Sequence, residues 1–283
     1  MNNRVYIYST DPKDSANGKW DYGLLNEIFE RNHLDQEVVQ EIPESDRGIV
    51  VIPGQGNAGK EREISSQLLK LKRVILFITG DESAYFNVDK ITHPNIEIWV
   101  QYPHAKHMKY NKMFVGAPRH IKEYSPSYPT KKYDTYFGGQ ITHQRRKELS
   151  EVMPRLPNSL YKPTQGFIQG DPPTEYYNLM SMAKIAPSPS GAMVIDSFRF
   201  FEAIEMLCLP IGDLKDARGV EVDFFSYVYD VEAPIVKVLD WKVLEALVPE
   251  LLKDYPNNMH KVVCWWIKYK RDLSIKIMRQ LNE

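Results

Sequence analysis

Runs of consecutive apolar residues alternate with stretches whose apolar positions recur every three or four residues, a rhythm that predicts strands interleaved with helices. Val5–Ser9 reads as an opening strand, and Tyr22–Asn32 as a helix carrying Leu24, Leu25, Ile28 and Phe29 on one face. Gly48–Ile52 is a continuous apolar strand, Glu61–Leu71 a helix, Val74–Thr79 another buried strand, and Asn95–Val100 a further one. Strands that are apolar on both faces and separated by helices belong to parallel sheets covered on each side. Pro118–Lys132, rich in Pro, Ser, Tyr and Lys, interrupts the pattern and reads as a linker.

The alternation restarts at Tyr133–Phe137, a strand, followed by a turn at Gly138–Thr142 and a helix over His143–Arg155. Tyr176–Ala183 reads as a helix, Lys184–Pro187 as a short strand, Asp196–Leu207 as a helix, Leu209–Gly212 as a strand and Trp241–Leu252 as a helix. From about His260 to Leu281 one long amphipathic helix brings Trp266, Tyr269, Leu273, Ile277 and Leu281 into register. The expected architecture is α/β, with two Rossmann-like domains facing across a cleft. Residues 1–125 form one, residues 126–260 the other, and 261–283 form a C-terminal helix free to pack back on the first. Ligands in such folds bind at the carboxyl ends of the strands.

Composition narrows the function classes. Over 283 residues, 43% are hydrophobic and 26% charged, the profile of a globular chain. A formal net charge of −1 gives no global basic field for nucleic acid. The two cysteines, Cys208 and Cys264, lie among apolar neighbours and read as buried thiols in a reducing compartment. With no signal-like N-terminal apolar core and no apolar run of the ~20 residues that span a bilayer, the expected location is cytoplasmic. Oligomeric state is not legible.

The most informative chemistry lies in Met182–Gly212. A short strand runs into Pro187-Ser-Pro-Ser-Gly191, then a helix bearing Ser197-Phe-Arg-Phe-Phe-Glu-Ala203, then the strand Leu209-Pro-Ile211. Ser188, Ser190 and Gly191 stand where a tight loop offers hydroxyls and amides to a phosphate. Asp196 or Ser197 can cap the following helix, whose positive end adds to an anion site. Arg199 and Glu202, three apart, share a helix face; the arginine can neutralise a diphosphate and the carboxylate can accept ribose hydroxyls. A capped surface helix with an internal ion pair has the same spacing. Upstream, Tyr133-Asp-Thr-Tyr-Phe-Gly-Gly-Gln140 precedes His143-Gln-Arg-Arg-Lys-Glu-Leu149. Gly139, Gln140, Arg145 and Arg146 join the candidate donor site there, with one of the two arginines expected to face water.

These two segments together resemble the donor-binding core of the exostosin-like glycosyltransferases, over about residues 133–212. In that family a Pro/Gly loop runs into Ser-x-Arg-hydrophobic-hydrophobic-Glu-Ala and then a small-Pro strand; Cys208-Leu209 stands here where a small residue usually precedes the proline. The resemblance implies a GT-B architecture and a nucleoside-diphosphate sugar as co-substrate, with a UDP-sugar favoured. Nothing in the first half carries it, so it assigns no acceptor.

Gly54-Gln-Gly-Asn-Ala-Gly-Lys60 fits the spacing of a phosphate loop, and Val74–Glu82 mimics the apolar strand and acid that hold magnesium in nucleotide triphosphatases or kinases. That alternative lacks the hydroxyl after the lysine, where Glu61 would repel phosphate. A non-catalytic sugar-nucleotide-binding module is the other alternative.

Glycosyl transfer requires a stabilised leaving group and an activated acceptor hydroxyl. The first role falls to Ser188, Ser190, Gly191, Arg199 and one of Arg145 and Arg146, and the lack of an Asp-x-Asp motif favours metal independence. For the base, Asp81 and Glu82 come first, then Asp11 and Asp14. The acceptor stays open between a polysaccharide, a glycolipid and a hydroxymethylated DNA base. The basic loop His104, Lys106, His107, Lys109 and Lys112 and the Lys/Arg-rich terminal helix motivate the last.

Overall fold

The computed structural model describes residues 4–9, 18–124, 130–166, 169–222, 225 and 232–283. Asp11 and Asp14 lie outside the described residues. The chain divides into two compact units, residues 1–119 with 269–283, and residues 120–268.

In the first unit the elements run β1 (Arg4–Tyr8), α1 (Gly18–Asp21), α2 (Gly23–Arg31), β2 (Asp35–Val39), β3 (Ser45–Pro53), α3 (Glu61–Leu68), β4 (Leu71–Thr79), β5 (Ile96–Val100) and β6 (Asn111–Lys112). The strands form one parallel sheet in the order β2-β1-β3-β4-β5-β6. Side chains alternate across a strand, so Tyr6, Val50, Val74, Leu76 and Ile78 build a core on one face with Ile64 and Leu68 of α3. On the other face Phe29 of α2 meets Phe77, and Phe77 stacks on Trp99.

The second unit runs β7 (Tyr133–Gln140), α4 (Gln144–Val152), β8 (Ser159–Thr164), α5 (Pro173–Ser181), β9 (Ala183–Ser188), α6 (Phe198–Glu205), β10 (Leu209–Asp213), β11 (Val236–Val238) and α7 (Leu244–Lys253). Its strands are also parallel, in the order β11-β10-β9-β7-β8. The strand order reverses between β7 and β9, and that switch point is where open α/β sheets bind ligands. Both units are therefore Rossmann-like.

Helix α8 (Tyr255–Asn282) closes the chain. Its early residues belong to the second unit, where Trp266 donates to Glu205 and packs on Phe201. Its last turns belong to the first, where the carbonyls of Gln280 and Leu281 accept from Arg73 and Arg47. Trp266, Leu273, Ile277 and Leu281 are all buried, as their spacing predicts. Among the described residues no helix is long and apolar enough to cross a membrane.

Three expectations need correction. Gly138-Gly139-Gln140 do not turn but continue β7, because each pairs with a residue of β8. Cys264 is exposed, on the solvent side of α8, and only Cys208 is buried. Arg145 and Arg146 are both buried, for reasons that belong to the site.

Candidate functional site

At the carboxyl ends of β7 and β9 the site is built from glycines and cations. Arg199, in the first turn of α6, donates through one amine to the Gly138 carbonyl at 2.7 Å and lies over the Phe137 ring. That approach needs Gly139: its φ is +146°, and a Cβ there would meet the guanidinium at 2.1 Å. Arg146 donates to the carbonyls of Gln140 and Ser190, tying the end of β7 to the loop after β9. His143 donates from Nε2 to the same Ser190 carbonyl at 3.1 Å. Burial first, and then the charges of Arg146, Arg145 and Arg199, push its pKa down to about 4.

Several polar atoms around this knot are buried with no hydrogen-bond partner among the described residues: Tyr136 Oη, His143 Nδ1, Ser190 Oγ and Arg199 Nε. Three of them carry a hydrogen, and His143 Nδ1 gains one on protonation. Ser188 is buried and bonds its own strand at Ala186. Gly191 lets the loop close, since a Cβ there would strike the Asp196 and Val194 carbonyls. Ser197 takes the extended backbone of an N-cap without a side-chain cap bond. Beside it, Ser188, Ile195, Asp196, Ser197, Phe200, Gly212, Asp213 and Phe225 line a small opening about the size of one water molecule.

Arg145 takes a different part. It donates to both oxygens of Asp213 at the end of β10, pairs with Glu148 and lies over Trp241. With both members of the pair about 1% exposed, it is a buried ion pair holding α4 to the sheet. The Asp213 carboxylate also accepts from the Ser190 and Lys215 amides, so it orders the loop that carries the unpartnered serine.

Glu202 is buried, and each of its oxygens accepts one tyrosyl hydroxyl at 2.9 Å, from Tyr176 and Tyr177. Burial raises its pKa although Arg199 and both tyrosines oppose that. Nothing in the helix itself announces those tyrosines; they come from α5.

In the first unit, Asp81 is no free carboxylate. Its two oxygens accept the Tyr85 and Phe86 amides at 2.9 and 2.8 Å, closing the turn after β4. Glu82 gives its carbonyl to His104, and its side chain is half-buried. Glu61 accepts from the Gly59 and Asn87 amides, so a carboxylate of the chain itself occupies the loop that resembles a phosphate cradle. The basic loop is likewise engaged: Lys106 donates to the Ala84 carbonyl, Lys109 pairs with Asp89, and burial holds His107 at a pKa of about 4.

Asp21 is the residue that sequence reasoning missed. Its Oδ1 accepts the Tyr102 hydroxyl at 2.8 Å, and its carbonyl accepts Gln101 Nε2 at 2.8 Å. Gly80, at φ +62°, makes room for Oδ2, which would stand 2.8 Å from a Cβ. Burial pushes its pKa up to about 6 against the lowering effect of Tyr102.

No family model and no curated protein matches the chain. The fold is that of two Rossmann-like α/β units, and solved structures share it. Among solved structures the chain is similar to AviGT4, a glycosyltransferase involved in avilamycin A biosynthesis, with a TM-score of 0.55 over 99% of this chain and 97% of that one. Sequence identity is 9%, so the likeness is one of fold; it does not single out the exostosin-like family.

Proposed function

We propose that the chain is a glycosyltransferase that takes its sugar from a nucleoside diphosphate sugar, bound at the carboxyl ends of β7, β9 and β10. One observation carries this reading: Arg199 Nε, Ser190 Oγ and Tyr136 Oη are buried donors without a partner among the described residues, gathered where the strand order reverses. Buried donors of that kind are costly unless something accepts from them, and phosphate oxygens accept from arginine and hydroxyls strongly. Arg199 and the N-terminus of α6 would stabilise the departing diphosphate without calling on a metal. Glu202 has lone pairs beyond the two that Tyr176 and Tyr177 use, and these remain available to ribose hydroxyls.

The test is a thermal-shift panel of nucleoside diphosphates, their sugars and ATP, with and without magnesium. A ligand at 100-fold over its dissociation constant adds roughly 2.7 kcal/mol. One diphosphate or its sugar should stabilise the wild type, and Arg199→Ala should lose the shift while Lys60→Ala keeps it. If ATP with magnesium alone stabilises, and Lys60→Ala abolishes that, the phosphate loop is the site and this reading falls.

A further inference from the structure

We infer that His120 passes protons to the buried Glu202 through the hydroxyl of Tyr177, and so sets whether the site holds a carboxylate or a carboxylic acid. His120 is a positioning residue, acting through Glu202. The consequence for a ligand rests on the donor-site proposal, but the proton path stands by itself.

The three groups form one hydrogen-bonded chain within the second unit. His120, from the turn Arg119–Glu123, has its Nε2 3.1 Å from the Tyr177 hydroxyl. Tyr177, from α5, donates to Glu202 Oε1 at 2.9 Å, and Tyr176 serves the other oxygen at the same distance. A tyrosyl hydroxyl has only one hydrogen. While Glu202 is ionised and accepts it, His120 must donate from Nε2 to the tyrosyl oxygen. The neutral ring is therefore the Nε2–H tautomer whenever Glu202 is charged. Packing holds the chain in place: the His120 and Tyr177 rings lie 5.7 Å apart, and Tyr124 packs against both. Glu202 and Tyr177 are 5% and 2% exposed, whereas His120 is only half-buried.

The chain conducts in either direction. When the imidazole takes up a second proton, on Nδ1, its Nε2–H bond breaks as Tyr177 Oη accepts that hydrogen. The tyrosine's own hydrogen passes to Glu202 Oε1. The carboxylate becomes an acid, the ring returns to neutral with its hydrogen on Nδ1, and every hydrogen bond in the chain reverses. Such a transfer is cheap only between groups of similar proton affinity, and burial moves these two toward each other. It raises Glu202 from 4.5, against Arg199 on the same helix and the two tyrosines of α5. It lowers His120 from 6.5, against Glu123 of its own turn. From β7, Tyr136 faces Glu202 as a neutral phenol, held so by burial. The charge of Glu202 matters to a ligand because hydroxyls bond an ionised acceptor about twice as strongly as a neutral one.

Two measurements on the full chain test this. In nitrogen-15-labelled protein the ring nitrogens of His120, identified by their loss in His120→Phe, are followed from alkaline to acid pH. The hydrogen should sit on Nε2 at alkaline pH and move to Nδ1 on the way down, with the doubly protonated ring forming only later. Tyr177→Phe, which keeps the aromatic ring and removes the hydroxyl, should abolish that change of tautomer. An Nδ1–H ring at alkaline pH, direct passage from Nε2–H to the imidazolium, or a tautomer change that survives in Tyr177→Phe overturns the path. The second measurement is the affinity for a nucleoside diphosphate divided by that for its 2′,3′-dideoxy analogue. The quotient cancels the pH response of the diphosphate and isolates the ribose hydroxyls. It should be about tenfold or more at alkaline pH and shrink toward one on acidification, with a different midpoint in His120→Phe. If that variant fails to fold, His120→Gln, which can donate to Tyr177 but does not titrate, takes its place under the same criteria. A quotient flat with pH in the wild type, or an unchanged midpoint in the variant, ends the control of ribose binding by His120. A wild type that binds neither nucleotide ends the donor-site proposal instead, and the tautomer record then decides the path alone.

Discussion

The carboxyl ends of the two parallel sheets are built from opposite chemistry. In the second unit the atoms left unpaired among the described residues include the donors of Arg199, Ser190 and Tyr136, and burial together with the nearby cations depresses His143. In the first unit Asp21 and Gln101 offer acceptors, and burial raises the carboxylate. One sheet end therefore leaves mostly donors unpaired and the other leaves acceptors, although both have the same strand-helix plan. The difference also shows in what holds the loops. The second unit uses a buried ion pair, Arg145 with Asp213. The first uses carboxylates that accept backbone amides, Asp81 and Glu61. Similar topology leaves the chemistry of the strand ends free, and the loops decide it.

The largest effect expected from breaking that comparison lies in the ion pair. Arg145→Ala leaves Asp213 buried without its cation and should cost about 3–5 kcal/mol in a urea titration. Arg199→Ala should cost far less, because its loss frees one carbonyl at a partly exposed position. If the two variants unfold alike, the division into a structural and a ligand-facing arginine is wrong. Next in size, Asp81→Ala strands the Tyr85 and Phe86 amides and should lower stability by about 1–3 kcal/mol. A variant as stable as the wild type would return Asp81 to the candidate bases.

The smallest effect is on pH. His143 and His107 are held near 4, below the ordinary histidine value of 6.5, so the stability they contribute is complete above 6.5 and is lost as pH falls toward 4. Asp21 runs the other way: raised from 3.8 to about 6, it contributes fully below 3.8, and that contribution is lost as pH rises through 6. Equilibrium melts between pH 4 and 8 should show a shallower acid loss in His143→Gln, and Asp21→Asn should gain stability over wild type only toward the alkaline side. Binding of a diphosphate should also raise the pKa of His143, so that affinity strengthens as pH falls from 7 toward 5.

The strands that pattern reading passes over are edges. β2, Asp-Gln-Glu-Val-Val, and β8, Ser-Leu-Tyr-Lys-Pro-Thr, lie at the ends of their sheets, and so do β6 and β11. An edge strand is half solvated, so it carries no apolar run to announce it. The same cause produced the misplaced turn: two glycines look like a break until β8 is there to pair with them. Asp21 was hidden because its burial comes from Gly80, Gln101 and Tyr102, and a lone acid between Trp20 and Tyr22 has no local signature.

By itself the sequence determined what depends on near neighbours along the chain. The buried central strands, the amphipathic face of α8, and the strand-loop-helix segment from Lys184 to Glu205 all follow from the spacing of apolar, glycine and capping residues. Only the tertiary structure decided which polar groups are already satisfied. Arg145 meets Asp213, 68 residues on, and Glu202 meets tyrosines from a different helix, while Asp81 is consumed by amides of its own turn. The physical reason is that a charged side chain's role depends on what it is buried against, and burial brings together residues that are far apart in the chain.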